Sequence, residues 1–208
     1  MRSRWISIPL LALLLAILAG EAAFLYWEDR QPKEKPCDPI IVAVARDTGI
    51  DPFLIRALIW RESKFDPMTH GTAADERGLM QVTPMVGEMW AKANKISDFK
   101  PDDLYDPNLN IRVGTWYLSR ALHHWNTTSD PTPFALAEYN AGRSNALKWV
   151  DPAAPTDPAA FVQRISFPGT RKYVEDIMTR RDEYKQTLVD NPWYKEFFPA
   201  QSSMSSAP

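Results

Sequence analysis

The residue in this sequence best suited to acid–base chemistry is Glu62. Asp51-Pro52 opens a predicted helix whose apolar face is formed by Leu54, Ile55, Leu58 and Ile59. Glu62 lies three residues beyond Ile59 and four beyond Leu58, so it continues the same face. Partial removal from water favours the protonated carboxyl, and the negative end of the helix dipole acts in the same direction. The spacing therefore predicts a side chain able to act as an acid near neutral pH.

An ordinary ion pair of Glu62 with Arg61 or Lys64 on a solvated helix end is the alternative. Further motifs along the chain favour the chemical role over this alternative. They are Glu62-Ser63, Gly78-Leu79-Met80-Gln81, Ala137-Glu138-Tyr139-Asn140-Ala141-Gly142 and Thr170-Arg171-Lys172-Tyr173-Val174.

Several residues in these motifs have physical roles that need no comparison with other proteins. Gly78 allows the backbone a tight approach, and the amide of Gln81 carries both a donor and an acceptor. Tyr139 and Asn140 fall at the end of a short predicted helix closed by Gly142, where side chains can point into a cleft.

The elements that must position these residues are predicted to be helices. A capping residue followed by proline recurs as a helix start signal. It occurs at Asp51-Pro52, Thr83-Pro84, Asp106-Pro107, Thr132-Pro133 and Asp157-Pro158. Apolar residues follow at helical spacing, as in Leu109, Val113 and Trp116 or Val174, Ile177 and Met178. We therefore predict a compact all-α domain over residues 40–191, with a short irregular flap.

In order and spacing, the four motifs resemble the catalytic domain of the soluble lytic transglycosylase family, relatives of goose-type lysozyme. The resemblance covers about residues 40–184 and implies a lysozyme-like helical fold. It implies that Glu62 protonates the bond between N-acetylmuramic acid and N-acetylglucosamine in peptidoglycan glycan strands. The C6 hydroxyl of the muramic residue then attacks its own anomeric carbon, Glu62 acts as the base, and a 1,6-anhydro end results.

The resemblance also implies supporting roles around Glu62. Met80 and Gln81 would line the glycan groove, Tyr139 would position Glu62, and Tyr173 would add a second contact. Core packing is the alternative for Met80, Tyr139 and Tyr173. Ser63, Thr72, Gly78 and Asn140 complete the predicted set of substrate-binding or supporting residues.

The chain departs from the family pattern at several positions near the predicted site. Thr72 stands where a serine is usual and keeps a hydroxyl for the Glu62 carboxyl, and Asp75-Glu76 replaces a Gly-Ala pair. Either acid would serve as the second carboxylate of an inverting hydrolase, a muramidase, and a solvated turn is the alternative. Glu138 stands where a small residue is common. Besides the transglycosylase and the muramidase, a third hypothesis is a noncatalytic peptidoglycan-binding protein that keeps the fold.

Composition excludes several other classes of function. The net charge of −2 and the lack of a basic run argue against a nucleic-acid partner. Cys37 is the only cysteine, so neither a disulfide nor a cysteine-based metal site forms within one chain. No metal or organic cofactor is expected, because a carboxyl group performs acid and base work without one.

The first 27 residues are typical of membrane-targeting sequence. Arg2 and Arg4 precede an apolar stretch from Trp5 to Trp27 that is long enough to span a bilayer. We predict an uncleaved, single-pass inner-membrane anchor over residues 1–27, with the domain on the periplasmic side. A cleaved signal peptide, which would release the chain into the periplasm, is the alternative.

Two further segments flank the predicted domain. Residues 28–39 are polar, hold three prolines and are predicted to form an extended linker. Residues 192–208 form a C-terminal tail that is predicted to be partly disordered. The sequence leaves open whether the chain joins an envelope protein complex.

Overall fold

The computed structural model describes residues 35–195 together with Leu13, and this part of the chain is all-α, as predicted. Its helices are α1 (Asp38–Thr48), α2 (Pro52–Ser63), α3 (Pro84–Ala93), α4 (Pro107–His124), α5 (Thr132–Ala141), α6 (Arg143–Trp149), α7 (Pro158–Arg164) and α8 (Pro168–Leu188). Short 3-10 turns occupy Lys35–Cys37 and Pro101–Tyr105. The helix α2 packs against α8, and α5 contacts both α4 and α8.

Apart from Leu13, the predicted membrane anchor at residues 1–27 lies outside the described residues. Among the helices that the structure does describe, none has the length and apolar character needed to cross a bilayer. Most of the predicted linker and residues 196–208 of the predicted tail are also outside this part of the chain.

The helix start signals read from the sequence are confirmed at four of the five positions. The side chains of Asp51, Thr83, Asp106 and Asp157 each accept a hydrogen bond from a backbone N–H in the first turn, and proline follows each cap. Thr132 is the exception, because α5 begins at this residue and Asp130 accepts the hydrogen bond from its N–H at 2.9 Å. An aspartate further upstream therefore replaces the predicted cap.

The helix α2 is buried around its whole circumference, and not only on the predicted apolar face. Every residue from Pro52 to Ile59 is buried, including Arg56. The guanidinium of Arg56 pairs with the carboxylate of Asp38 and donates a 2.9 Å hydrogen bond to the hydroxyl of Tyr194. A buried charge of this kind is tolerated because it has an opposite charge and hydrogen-bond partners.

The folded domain extends beyond both predicted boundaries. The helix α1 begins at Asp38 and not at Ile40, because Pro39 in the first turn needs no N–H partner. At the other end, Tyr194 is fully buried, although the domain was predicted to stop at residue 191. Its hydroxyl donates a 2.6 Å hydrogen bond to Asp38, and its ring lies 4.9 Å from that of Phe53.

An irregular segment over residues 64–83 connects α2 to α3 and matches the predicted flap. It starts with two consecutive left-handed residues, Lys64 and Phe65, which turn the chain sharply away from α2. Isolated bridges pair Arg77 with His70 and with Val82. This segment forms one side of the cleft described below.

Candidate active site

A cleft of about 420 Å³ opens at the C-terminal end of α2. It is lined by Glu62, Gly71, Thr72, Ala73, Ala74, Glu76, Gln81, Val82, Thr83, Met85, Val86, Tyr117, Tyr139 and Asn140. The segment 64–83, α3, α4 and α5 all contribute to this wall. The structure thus gathers residues of three of the four sequence motifs around one cavity.

The carboxyl group of Glu62 is held in an environment that favours its protonated form. Burial raises the pKa of Glu62 from 4.5 to about 7, and the negative charge of Glu76 adds to this increase. The hydrogen bond from Tyr173 and the charge of Arg61 oppose it but are outweighed. Both protonation states of Glu62 are therefore accessible near neutral pH, as an acid that also acts as a base requires.

The alternative of a simple ion pair for Glu62 does not fit the structure. The Nε atom of Arg61 lies 3.5 Å from the carboxylate of Asp176. The ammonium of Lys64 lies 3.2 Å from the centre of the Trp60 ring. Both neighbouring cations are thus directed towards other groups, and Glu62 faces the cleft.

Tyr173 is the residue that holds the Glu62 carboxyl. Its hydroxyl donates a hydrogen bond to Oε1 of Glu62 at 2.5 Å, and its ring is buried beneath the cleft. Burial and the charge of Glu62 raise the pKa of Tyr173 well above its usual value, so the hydroxyl remains a donor. In this residue a buried ring and a hydrogen bond to Glu62 occur together, and its role in the proposed site stays a prediction.

Tyr139 lines the cleft but bonds elsewhere than the resemblance implied. Its hydroxyl donates a 2.9 Å hydrogen bond to the carbonyl of Met80. Burial, followed by the charge of Glu62, raises the pKa of Tyr139 well above its usual value, so this hydroxyl also stays protonated. In the described residues the hydrogen bond to Glu62 comes from Tyr173, and Tyr139 instead fixes the backbone of the flap.

The side chain of Met80 packs into the core, and the prediction that it lines the groove is wrong. It is fully buried, and its sulfur lies 3.7 Å from Oγ1 of Thr115. The absence of a side chain at Gly114 makes room for it, because a Cβ there would approach the Met80 sulfur to 2.7 Å. Met80 contributes to the site only through its backbone.

Gln81 lines the cleft with one face of its amide group. Its Nε2 atom donates to the carbonyls of Thr69 and Gly78, at 3.0 and 2.9 Å. The amide nitrogen of Gln81 is therefore used within the protein, and of the predicted donor and acceptor only the acceptor Oε1 is left for a ligand.

Gly78 has the tight backbone approach that the sequence predicts. Its φ is 73°, and a Cβ would lie 2.3 Å from the Leu104 carbonyl and 2.5 Å from Nδ2 of Asn110. Asn110 itself is fully buried and organises the turn: its Nδ2 donates to Arg77 and Leu104, and its Oδ1 accepts from the N–H of Met80. We did not predict this role, although an asparagine next to Ile111 on a buried helix face is a usable signal.

The other predicted residues divide between the wall of the cleft and its support. Ser63 is buried and donates a 2.8 Å hydrogen bond to the carbonyl of Leu79, so it supports the flap. Thr72 is exposed at the rim, and the hydroxyl that bonds Glu62 is that of Tyr173 and not of Thr72. Asn140 lines the cleft, where its Oδ1 accepts from Thr170 at 2.7 Å.

The two unusual acids in the flap have different surroundings. The carboxylate of Asp75 accepts hydrogen bonds from Arg77 at 2.8 and 3.2 Å, and this pairing holds the pKa of Asp75 below its usual value. Glu76 lines the cleft with Glu62. Only Glu76 is therefore placed to contact a ligand bound there.

Glu138 and Tyr117 are also clarified by the structure. Glu138 is buried and faces away from the cleft. Its carboxylate accepts a hydrogen bond from Nε1 of Trp125 at 2.8 Å and pairs with Nδ1 of His124 at 2.7 Å.

Tyr117 lines the cleft beside Tyr139, with ring centres 5.4 Å apart. Sequence analysis missed Tyr117, although it lies one helical turn beyond Val113 on the inward face of α4.

Solved structures of two lytic transglycosylases share this fold. One is the inactive glutamate-to-glutamine mutant of lytic transglycosylase Slt from Pseudomonas aeruginosa, with a TM-score of 0.65 and 26% identity over 72% of this chain and 24% of that one. The other is the 70 kDa soluble lytic transglycosylase SLT70 from Escherichia coli, with a TM-score of 0.65 and 27% identity over 75% of this chain and 25% of that one.

Sequence relatives carry similar names. The soluble lytic murein transglycosylase of Salmonella typhimurium is 30% identical over 150 residues, which are 68% of this chain and 23% of that protein. The membrane-bound lytic murein transglycosylase F of Desulfosudis oleivorans is 34% identical over 107 residues, 50% of this chain and 21% of that protein. The chain thus spans less than a quarter of the length of these two relatives.

The family model described as the transglycosylase SLT domain matches residues 39–161. This range contains Glu62, the flap and the helix that carries Tyr139 and Asn140. Since the match covers more than half of the chain and the solved relatives have the same helical fold, this protein belongs to the transglycosylase SLT domain family.

Proposed function

We propose that this protein is a peptidoglycan lytic transglycosylase. It cleaves the bond between N-acetylmuramic acid and N-acetylglucosamine in murein and leaves 1,6-anhydromuramic acid ends. The observation that carries this proposal is the half-buried carboxyl of Glu62, which has a pKa of about 7 and lines the cleft. The names of the relatives and the inactive glutamate-to-glutamine mutant among the solved structures support the same chemistry.

One carboxyl group suffices for this reaction because the nucleophile belongs to the substrate. Protonated Glu62 gives its proton to the glycosidic oxygen as the bond from that oxygen to the anomeric carbon of the muramic residue breaks. The C6 hydroxyl of the same residue then bonds to the anomeric carbon and gives its proton to the Glu62 carboxylate. The hydrogen bond from Tyr173 stabilises the carboxylate between these two steps.

The remaining predicted residues receive supporting roles in this proposal. Gln81 and Asn140 contact the glycan from the wall of the cleft, where both are placed. Ser63 holds the flap against α2, while Gly78 and the backbone of Met80 hold it against α4 and α5. Thr72 lies at the rim, where an extended strand would pass.

The experiment that tests the proposal is product analysis. The purified protein, incubated with murein sacculi, is expected to release 1,6-anhydromuropeptides that mass spectrometry separates from hydrolysed products. Glu62→Gln is expected to lower the rate by at least about a hundredfold, since it removes the group that gives and takes the proton. Binding of the variant to sacculi should persist. A Glu62→Gln variant that still cleaves would reject Glu62 as the acid.

A muramidase is the second candidate, and one observation favours it: Glu76 lines the same cleft as Glu62. Asp75 is less suited to the role of base because Arg77 binds its carboxylate. A muramidase would produce reducing ends in place of anhydro ends. Glu76→Gln should abolish the release of reducing ends, and Asp75→Asn should leave it intact. A noncatalytic binding protein would bind sacculi without releasing either product.

We further propose that residues 1–27 anchor the protein in the inner membrane with the domain in the periplasm. The apolar composition of this segment and the Arg2-Arg4 pair support the proposal. Relatives with soluble and with membrane-bound names both occur. Mass spectrometry of the mature N-terminus, together with membrane fractionation, tests it, because a cleaved signal peptide would remove the segment.

A further inference from the structure

The wall of the cleft formed by Gly71, Glu76 and Gln81 presents oxygen acceptors to a ligand. Both hydrogen bonds of the Gln81 amide nitrogen go to backbone carbonyls, those of Thr69 and Gly78. A carbonyl cannot donate, so this pairing fixes which end of the amide faces the cleft. Gln81 therefore offers only Oε1.

The second acceptor on this wall is the carboxylate of Glu76, which is half-buried and lines the cleft. Its Oε2 accepts a 3.0 Å hydrogen bond from the N–H of Ala74. The adjacent cation, Arg77, is paired with Asp75 at 2.8 Å and with Asp102 at 2.6 Å. Within residues 35–195 no basic side chain forms an ion pair with Glu76, so its negative charge faces the cleft uncompensated.

Gly71 brings the two acceptors together. A Cβ placed on Gly71 would lie 2.5 Å from Oε2 of Glu76 and 2.9 Å from Oε1 of Gln81. Both oxygens therefore lie beside the same bare backbone position, within the span that one small donor group can bridge. An ammonium supplies three N–H donors and a positive charge to such a pair, whereas an acetamido group supplies one N–H and no charge.

We propose that Glu76 and Gln81 form a subsite for a primary ammonium group of the substrate, so that Glu76 is a specificity-determining residue. This inference rests on the proposed function, since it concerns the glycan bound beside Glu62. The ammonium has two sources in a peptidoglycan substrate: a glucosamine residue that lacks its N-acetyl group, or a free amine on a stem peptide. Glu76 selects amine-bearing strands over strands in which every amine is acylated.

Binding to the Glu62→Gln variant tests the subsite without any need for turnover. Calorimetry would compare a glucosamine oligomer, an N-acetylglucosamine oligomer of equal length, and a muropeptide with a free side-chain amine or with that amine acetylated. We expect an amine-bearing probe to bind about tenfold more tightly than its acylated counterpart, with a preference that weakens in high salt. Adding Glu76→Gln should abolish this preference, so that amine-bearing and acylated probes bind equally.

Glu88→Gln is the matched control, because Glu88 is exposed on α3 and its replacement removes the same charge outside the cleft. It should leave every affinity unchanged. A preference for the glucosamine oligomer identifies the sugar as the source, and a preference confined to the muropeptide identifies the peptide. Equal affinities for amine-bearing and acylated probes, or a preference that survives Glu76→Gln, would overturn the subsite. Release of anhydro ends from fully acylated sacculi by the unaltered protein would still uphold the proposed function.

Discussion

The hydroxyl of Tyr173 and the carboxyl of Glu62 meet at 2.5 Å, although 111 residues separate them in the sequence. Glu62 lies in the last turn of α2, and Tyr173 lies in the second turn of α8, the helix that packs most extensively against α2. The contact between these two helices therefore sets the geometry of the proposed acid. It also sets the pKa of Glu62, because the hydrogen bond from Tyr173 partly offsets the effect of burial.

Tyr173→Phe is expected to shift the pH dependence of the reaction. Loss of the hydrogen bond destabilises the carboxylate form, so the pKa of Glu62 should rise above its value of about 7. The basic limb of kcat/KM should then move to higher pH, since more of the free enzyme stays protonated. A pH–rate profile on soluble glycan strands measures this shift. Tyr105→Phe removes a hydroxyl that bonds His70 outside the cleft and should leave the limb in place.

Glu62→Gln is expected to stabilise the fold at high pH. Below about pH 4.5 the carboxyl is protonated in both the folded and the unfolded chain, so it has no effect on the pH dependence of stability. As pH rises towards 7 the unfolded chain loses this proton first, and the free energy of unfolding falls by up to about 3 kcal/mol. The variant lacks this loss.

Urea denaturation at pH 4 and pH 8 measures the effect. The variant should gain stability over the unaltered protein mainly at the higher pH. A difference that is the same at both values would contradict the raised pKa of Glu62.

Gly78→Ala is expected to reduce stability by at least about 2 kcal/mol, because the new Cβ combines a left-handed φ with two close contacts. The turn that carries Gln81 should shift with it, so activity should fall as well. Gly169→Ala is the matched control, since Gly169 lies in the first turn of α8 with open space where a Cβ would go. It should be neutral or stabilise by up to about 1 kcal/mol. Thermal and urea unfolding compare the two, and equal effects would contradict the steric argument.

Local chemistry accounts for the part of the fold that the sequence predicts. A cap such as Asp51 or Asp106 followed by proline marks a helix start without reference to the rest of the chain. The spacing of Glu62 along α2 is also a local pattern, whereas the cleft that it lines is formed by the segment 64–83, α3, α4 and α5. The predicted cap at Thr132 fails because the helix already begins at this residue, and Asp130, two residues earlier, accepts the hydrogen bond from its N–H.

Long-range packing accounts for what the sequence does not predict. Met80 enters the core because Gly114, on α4, leaves room for it. Whether Tyr139 or Tyr173 bonds Glu62 depends on where α5 and α8 lie relative to α2, and no local pattern contains that information. Tyr194 closes the far side of the domain from a segment with little helical signal, which is why the predicted boundary fell short of it.

Tyr194→Ala is expected to reduce stability by about 3 to 5 kcal/mol, as for other fully buried aromatic side chains. The loss includes the hydrogen bond to Asp38 and the ring contact with Phe53. Trp193→Ala is the control, because the neighbouring ring is 49% exposed. Urea denaturation of both variants is the measurement. A small effect at Tyr194 would show that the domain ends near residue 191, as the sequence predicts.

Asn110→Asp is expected to disturb the flap while changing the volume of the side chain very little. The aspartate keeps an acceptor for the N–H of Met80 but cannot donate to the carbonyls of Arg77 and Leu104. Its carboxylate oxygen instead faces these two carbonyl oxygens at a buried position. Stability should fall by about 3 kcal/mol, since two buried hydrogen bonds are lost and a charge is buried. Because the backbone of Met80 also binds Tyr139, kcat should fall too.

Asn108→Asp, the matched control, makes the same chemical change two residues earlier on α4. Asn108 is exposed, and its Oδ1 accepts a hydrogen bond from Arg112, a bond that an aspartate retains. Its effect on unfolding should stay within about 0.5 kcal/mol, and its turnover should match that of the unaltered protein. If both aspartates had equal effects, the loss at Asn110 would come from added charge on α4 and not from the hydrogen bonds that hold the flap. Recovery of kcat when Asn110→Asp is assayed at low pH, where the new carboxyl is protonated and can donate again, separates these two causes further.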